Sequence, residues 1–115
     1  MSFRDFFDAY LECAVWSSTD DDGTPLDQID ADVTDALRAE LEPDARDFYD
    51  AHWEQWADGW DDAQAGHDFW LTRNRHGAGF WDRGLGPLGD TLTDAAHAYG
   101  EVNLYVGDDD AIHAN

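Results

Sequence analysis

Lysine is absent from this 115-residue chain, cysteine occurs once, at Cys13, and proline only three times. With one cysteine no internal disulfide can form, and its place in an apolar helical pattern predicts a buried thiol, in keeping with a reducing compartment. No apolar run approaches the ~20 residues that span a bilayer. Met1 is followed by Ser-Phe-Arg-Asp rather than a basic region and an apolar stretch, so no signal peptide is expected. The expectation is a soluble, cytoplasmic protein with no membrane contact.

Catalytic templates are missing as well. The chain has no Cys-x-x-Cys pair, no His-Glu-x-x-His, no phosphate-binding Gly-rich loop ending in Lys, and no Gly-x-Ser-x-Gly elbow. Read as a calcium loop from Asp20, the sixth position is Pro25 and the twelfth Ala31, where glycine and glutamate are required. No cofactor and no metal are therefore expected, and the chain is read as non-enzymatic.

What the chain has in excess is acid. Its 27 Asp and Glu against six arginines give a formal charge of −21, and residues 1–68 carry −17 of it. Such a field repels nucleic acid and anionic membrane and attracts proteins with basic surfaces. It also destabilises the compact state when salt is low. Direct nucleic-acid binding is excluded on this ground. Two explanations for the acid compete: solvation in a salt-rich cytoplasm, as in halophilic proteins, and imitation of a duplex by ordered carboxylates. The first needs no partner, whereas the second makes the chain an inhibitor of a DNA-binding protein.

Length fits one domain over residues 1–115, and 43% hydrophobic residues argue for a folded core under the acidic shell. Phe3, Phe6, Phe7, Tyr10, Cys13 and Ala14 recur at helical spacing, predicting a first helix that runs to about Trp16. Residues 17–31 lose the period and read as a loop. Asp32 is placed as the cap of a second helix bearing Val33, Leu37 and Leu41. Pro43 then predicts a new helix start, with a single kinked helix as the alternative. The third helix carries Ala45, Phe48, Tyr49, His52, Trp53, Trp56 and Trp60, an aromatic stripe that serves more often as core than as a stacking platform.

From residue 66 the period changes. His67, Phe69, Leu71 and Arg73 alternate with Asp68, Trp70, Thr72 and Asn74, which suits a strand. Residues 74–79 supply a turn, and Phe80-Trp81-Asp82-Arg83 returns antiparallel. A fourth helix follows, with Asp90 as cap and Gly100 past its end, then Val102, Leu104 and Val106 in a last strand that turns at 107–110. The fold class expected is α+β. Residues 1–65 form an acidic part of three helices, and residues 66–113 form a β-hairpin, a helix and a C-terminal strand or hairpin in an antiparallel sheet.

The stretch His67–Gly89 is also the one region whose charge contradicts the whole, with Arg73, Arg75 and Arg83 against Asp68 and Asp82. At one end of a two-stranded ribbon, Arg73, Asn74, Arg75, His76, Trp81, Asp82 and Arg83 would converge as a binding site, anionic groups being held by bidentate arginines. A hydrolase-like alternative uses His67, Asp68, His76 and Asp82 as acid–base groups. The structural alternative pairs the arginines with the chain's own acids.

The segment GHDFWLTRNRHGAGFWDRGLG, residues 66–86, with EVNLYVGDDDAIH at 101–113, resembles the motif of a family of small uncharacterised proteins encoded by bacteriophages and other mobile elements. The resemblance covers residues 66–113 and adds nothing to residues 1–65. It implies an accessory, host-interacting context and transfers no catalytic residues. The reading that follows is a small acidic accessory protein that binds a host macromolecule with a basic surface. The alternatives are a salt-adapted scaffold, a DNA mimic that inhibits a defence protein, and a small hydrolase. Oligomeric state is left open.

Overall fold

The computed structural model describes residues 3–19, 23–28, 33–56, 60–75, 79–84 and 86–114, apart from the side chains of Asp27 and Asp82. Four helices carry the fold: α1 (Phe3–Ser17), α2 (Asp35–Trp56), α3 (Asp62–Arg73) and α4 (Pro87–His97). Single 3-10 turns stand at Leu26–Gln28 and Phe80–Asp82. Strands β1 (Leu104–Val106) and β2 (Ile112–Ala114) pair antiparallel, with Tyr105 opposite His113. They are the whole of the sheet structure among the described residues.

The expected α+β class, with three N-terminal helices and a hairpin at 67–83, is overturned on two counts. Residues 35–56 form one helix with Pro43 inside it. Pro43 and Ala39, whose carbonyl loses its donor, are both exposed, so the defect lies on the solvent side where water can satisfy it. Leu37, Leu41, Ala45 and Phe48 meanwhile continue one buried stripe across the proline, and that packing holds both halves in one helix. The expected cap at Asp32 lies outside the described residues.

The second correction concerns the hairpin. Residues 62–73 are helical, and Asp61 caps them by accepting the Gln64 amide at 2.6 Å. Asp62 sits in the first turn and Arg73 in the last, both favourable to the helix dipole. Nine of the twelve residues of α3 are buried, among them Asp68, Phe69, Trp70, Leu71 and Thr72. A helix covered on nearly every side has no polar face, so its apolar residues show no 3.6-residue period and can be mistaken for a strand with two substantial faces.

The core is aromatic and centred where α1, α2 and α3 meet. Phe6, Phe48, Trp56 and Phe69 are almost wholly buried, with Phe48 stacked on Phe69 at 4.1 Å between ring centroids. Trp56 belongs to this core, with Trp53 and Trp60 packed against it, as the stripe reading expected. Gly66 lets α3 approach α1: a Cβ there would overlap the Phe6 carbonyl oxygen. The fold therefore rests on one close helix–helix contact that no larger residue permits.

Beyond α3 the chain is tied back by side chains rather than by strands. Thr72 Oγ1 accepts the Phe80 amide at 3.1 Å, which seats Phe80 in the core. Asn74 donates to the Trp70 carbonyl and accepts the Val102 amide at 2.8 Å, clamping the approach to β1. Among the described residues no helix is long and apolar enough to cross a membrane.

Candidate functional site

The residues expected to converge are divided between two separate centres. Arg73 and Asp68 lie five positions apart on α3, about 140° around its axis, so they face different neighbours. The first centre is built on Arg73, whose side chain is 1% exposed. Its Nε donates to the Gly100 carbonyl at 3.0 Å, one terminal nitrogen to Tyr10 Oη at 3.0 Å, and the other to Asp44 Oδ2 at 3.0 Å and the Tyr99 carbonyl at 3.2 Å. The guanidinium joins α1, α2, α3 and the end of α4, and it is not available to a ligand.

Burial pushes the Tyr10 hydroxyl up to about 12 against the opposing pull of Arg73, so it stays protonated. Burial also raises Tyr99, and its hydrogen bond to Asp47 raises it further. Sequence reasoning placed Tyr10 on the apolar face of the first helix and did not join Tyr10, Asp44 or Tyr99 to Arg73. No spacing signal joins residues 10, 44, 73 and 99, because only the packing of four elements brings them together.

The second centre is Asp68, which is fully buried. Arg83 grips it in a fork, with Nε 3.0 Å from Oδ2 and a terminal nitrogen 2.9 Å from Oδ1. Gln64 Nε2 donates to the same carboxylate at 3.2 Å. His67 Nδ1 stands 3.7 Å from Oδ1, too far for a hydrogen bond, and is a buried nitrogen without a partner among the described residues. Beneath this pair lies Cys13, whose thiol burial pushes up to about 12, with the Asp68 charge adding to the shift. A thiol held protonated in this way is a packing group rather than a nucleophile.

The remaining expected residues do not complete a site. Asn74 is spent on the backbone clamp. Arg75 is exposed in a left-handed conformation, φ 56°, and its guanidinium has no partner among the described residues. Trp81 is 52% exposed. His76 and the side chain of Asp82 lie outside the described residues. The described residues hold no group of three or more His, Cys, Asp or Glu placed to bind a metal. A second buried acid, Asp62, accepts from Trp56 Nε1 at 2.8 Å and Tyr49 Oη at 3.3 Å. It answers the need of a buried indole for an acceptor.

With Arg73 and Arg83 drawn to the protein's own acids and Arg75 left at the surface, the charged outer surface is mainly carboxylate. On α2, Glu40, Asp47, Asp50 and Glu54 are exposed and Asp44 is half-buried. Steps of three or four residues put all five on one stripe, about 21 Å from first to last at 1.5 Å per residue. Asp44 is held by Arg73 and Asp47 by the Tyr99 hydroxyl at 2.5 Å, so two of the five are fixed in place. Arg46 reaches only the margin, 3.9 Å from Asp50. Compared with protein-family models, with curated proteins and with solved structures, the chain matches none.

Proposed function

We propose that this protein is a non-enzymatic acidic accessory protein that binds a partner protein through a basic surface on that partner, in a viral or mobile-element context. The observation that carries the reading is the disposition of charge. Arg73 and Arg83 are turned to the protein's own acids, while α2 presents Glu40, Asp47, Asp50 and Glu54 to solvent in a row that the half-buried, Arg73-bound Asp44 continues. A single-sign stripe of that length attracts a basic surface and raises its association rate, more strongly at low salt. Asp68, the carboxylate that a hydrolytic mechanism would use, lies under Arg83, which weighs against chemistry at this place.

Imitation of a duplex is a second reading, and the immobilised carboxylates favour it. Steps of three and four residues along α2 separate the acids by about 4.5 to 6 Å, the same scale as a strand that carries one charge per about 3.4 Å of axis. In that case the partner's basic surface is its nucleic-acid site.

The test is a pulldown of basic proteins at low and moderate salt with the wild-type chain and with Glu40→Gln/Asp50→Asn/Glu54→Gln. Capture by the wild type and loss in the triple variant are expected. Release by competing DNA selects mimicry. No capture at any salt, with a large rise in Tm from low salt to molar KCl, would leave a salt-adapted scaffold and overturn the proposal.

A further inference from the structure

The face of α1 that looks toward the start of α2 is only partly covered by the described residues: Phe3 and Val15 at its two ends are half-buried, while Phe7 and Leu11 between them, 6% and 5% exposed, belong to the core and form a floor. Between the two helices lies a groove of about 740 Å³. Phe3, Phe7, Leu11 and Val15 line it from α1 at intervals of four, one inclined row about 18 Å long. Val33, 38% exposed, closes the apolar lining from the other side. The length equals three turns of helix.

The rim is charged, and unevenly. Arg4 and Arg38 both lean on Asp8, at 3.8 and 3.6 Å. Glu12 on one wall, with Asp35 and Glu42 on the other, enters no ion pair among the described residues. With four acids against two arginines the rim carries a net −2, and an apolar floor under such a rim is complementary to an apolar stripe flanked by cations. A second copy of this chain lacks that complement, since it carries −21 overall and no lysine.

We propose that this groove docks an amphipathic helix of a partner protein, with leucine-like residues at i, i+4 and i+7 and lysine or arginine along both flanks. The proposal rests on the reading of the chain as a binder of basic proteins and names the shape in which the partner presents its charge. Apolar contact supplies affinity here, and the rim acids set orientation and on-rate.

The probe is a 14-residue helical peptide of leucine and lysine, beside a scrambled peptide of identical composition with no apolar face. Each is titrated into the ¹⁵N-labelled full-length chain and followed by amide shifts and fluorescence anisotropy. Shifts concentrated at residues 3–15 and 33–42 are expected, with the scrambled peptide weaker by about tenfold. Val33→Asp is an exposed change that keeps the fold, and it should weaken binding roughly tenfold through its charge in the apolar lining. Glu12→Gln/Asp35→Asn should slow association several-fold and flatten the salt dependence. Asp94→Asn on α4, equally acidic and outside the groove, should change nothing beyond the general charge effect.

Equal affinity for the two peptides, indifference to Val33→Asp, or shifts confined to the outer stripe of α2 would overturn the groove while leaving the binding function standing. Concentration-dependent self-association that protects residues 3–15 would overturn it too, in favour of a dimer. Failure of every basic probe, peptide or protein, would remove both.

Discussion

Helix α2, with seven carboxylates, and helix α3, with two, use them in opposite ways. On α2 the acids other than Asp44 face solvent, and the helix is readable as a surface helix with a buried stripe. On α3 the acids Asp62 and Asp68 are turned inward, one accepting from Trp56 and Tyr49 and the other from Arg83 and Gln64. The difference teaches that in so acidic a protein a carboxylate's role is set by what covers it. A covered acid must be answered by donors at both oxygens, whereas an uncovered one needs only water.

The sharpest way to break this comparison is to remove the donor from a covered acid. Arg83→Ala leaves the fully buried Asp68 charge answered by Gln64 alone, and it should cost about 3–5 kcal/mol in urea unfolding. Asp68→Asn should cost less, because the Arg83 side chain is 31% exposed and can turn to water. If the two variants were equal, the asymmetry between buried acid and accessible cation would be wrong.

Next in size is the contact that presses α3 onto α1. Gly66→Ala places a Cβ against the Phe6 carbonyl, so the helices must separate, at about 1–3 kcal/mol or more. An unchanged Tm would mean that the approach of α1 to α3 is looser than the geometry states. The uncovered side makes the contrasting prediction. Glu40→Gln/Glu54→Gln should lie within about 0.5 kcal/mol of wild type, and any gain in stability should vanish as salt is added.

The smallest effect is local to the turn that joins β1 to β2. Asp109 is held below the usual carboxylate range by its hydrogen bond from His113 and by the Ala111 amide. Its stabilising contribution is present above the ordinary carboxylate pKa and is lost as pH falls through the lowered value. In an NMR titration the amide shifts of residues 107–113 should move in that acid range. In Asp109→Asn the movement of the Ala111 amide, which Asp109 accepts, should be largely lost.

Legibility from the sequence followed the same division. Helix α1 lies where the spacing of Phe3 to Ala14 placed it, and a short hairpin at 104–114 follows the alternation of Leu104 and Val106. Both have one wet and one dry face, which a periodic pattern records. Helix α3 has no wet face, so its pattern misled, and the Asp61-x-x-Gln64 start that marks it was passed over. Pro43 misled for a related reason. Local chemistry argues for a break there, but burial of Leu41, Ala45 and Phe48 outweighs one missing hydrogen bond on an exposed surface.

Composition by itself determined the acidic field, the single thiol and the supply of aromatic side chains from which the core is built, because these depend on residue counts and not on neighbours. The expectation that Arg73 and Arg83 would meet the chain's own acids was also within reach of charge arithmetic. Which acids, and on which sides of α3, only the tertiary structure decided. Asp44 reaches Arg73 across 29 residues and Asp68 reaches Arg83 across 15 because helices packed at the distance that Gly66 permits bring them there. Long-range pairing of this kind leaves no period in the sequence, since it is set by the packing of whole elements rather than by the turn of any one of them.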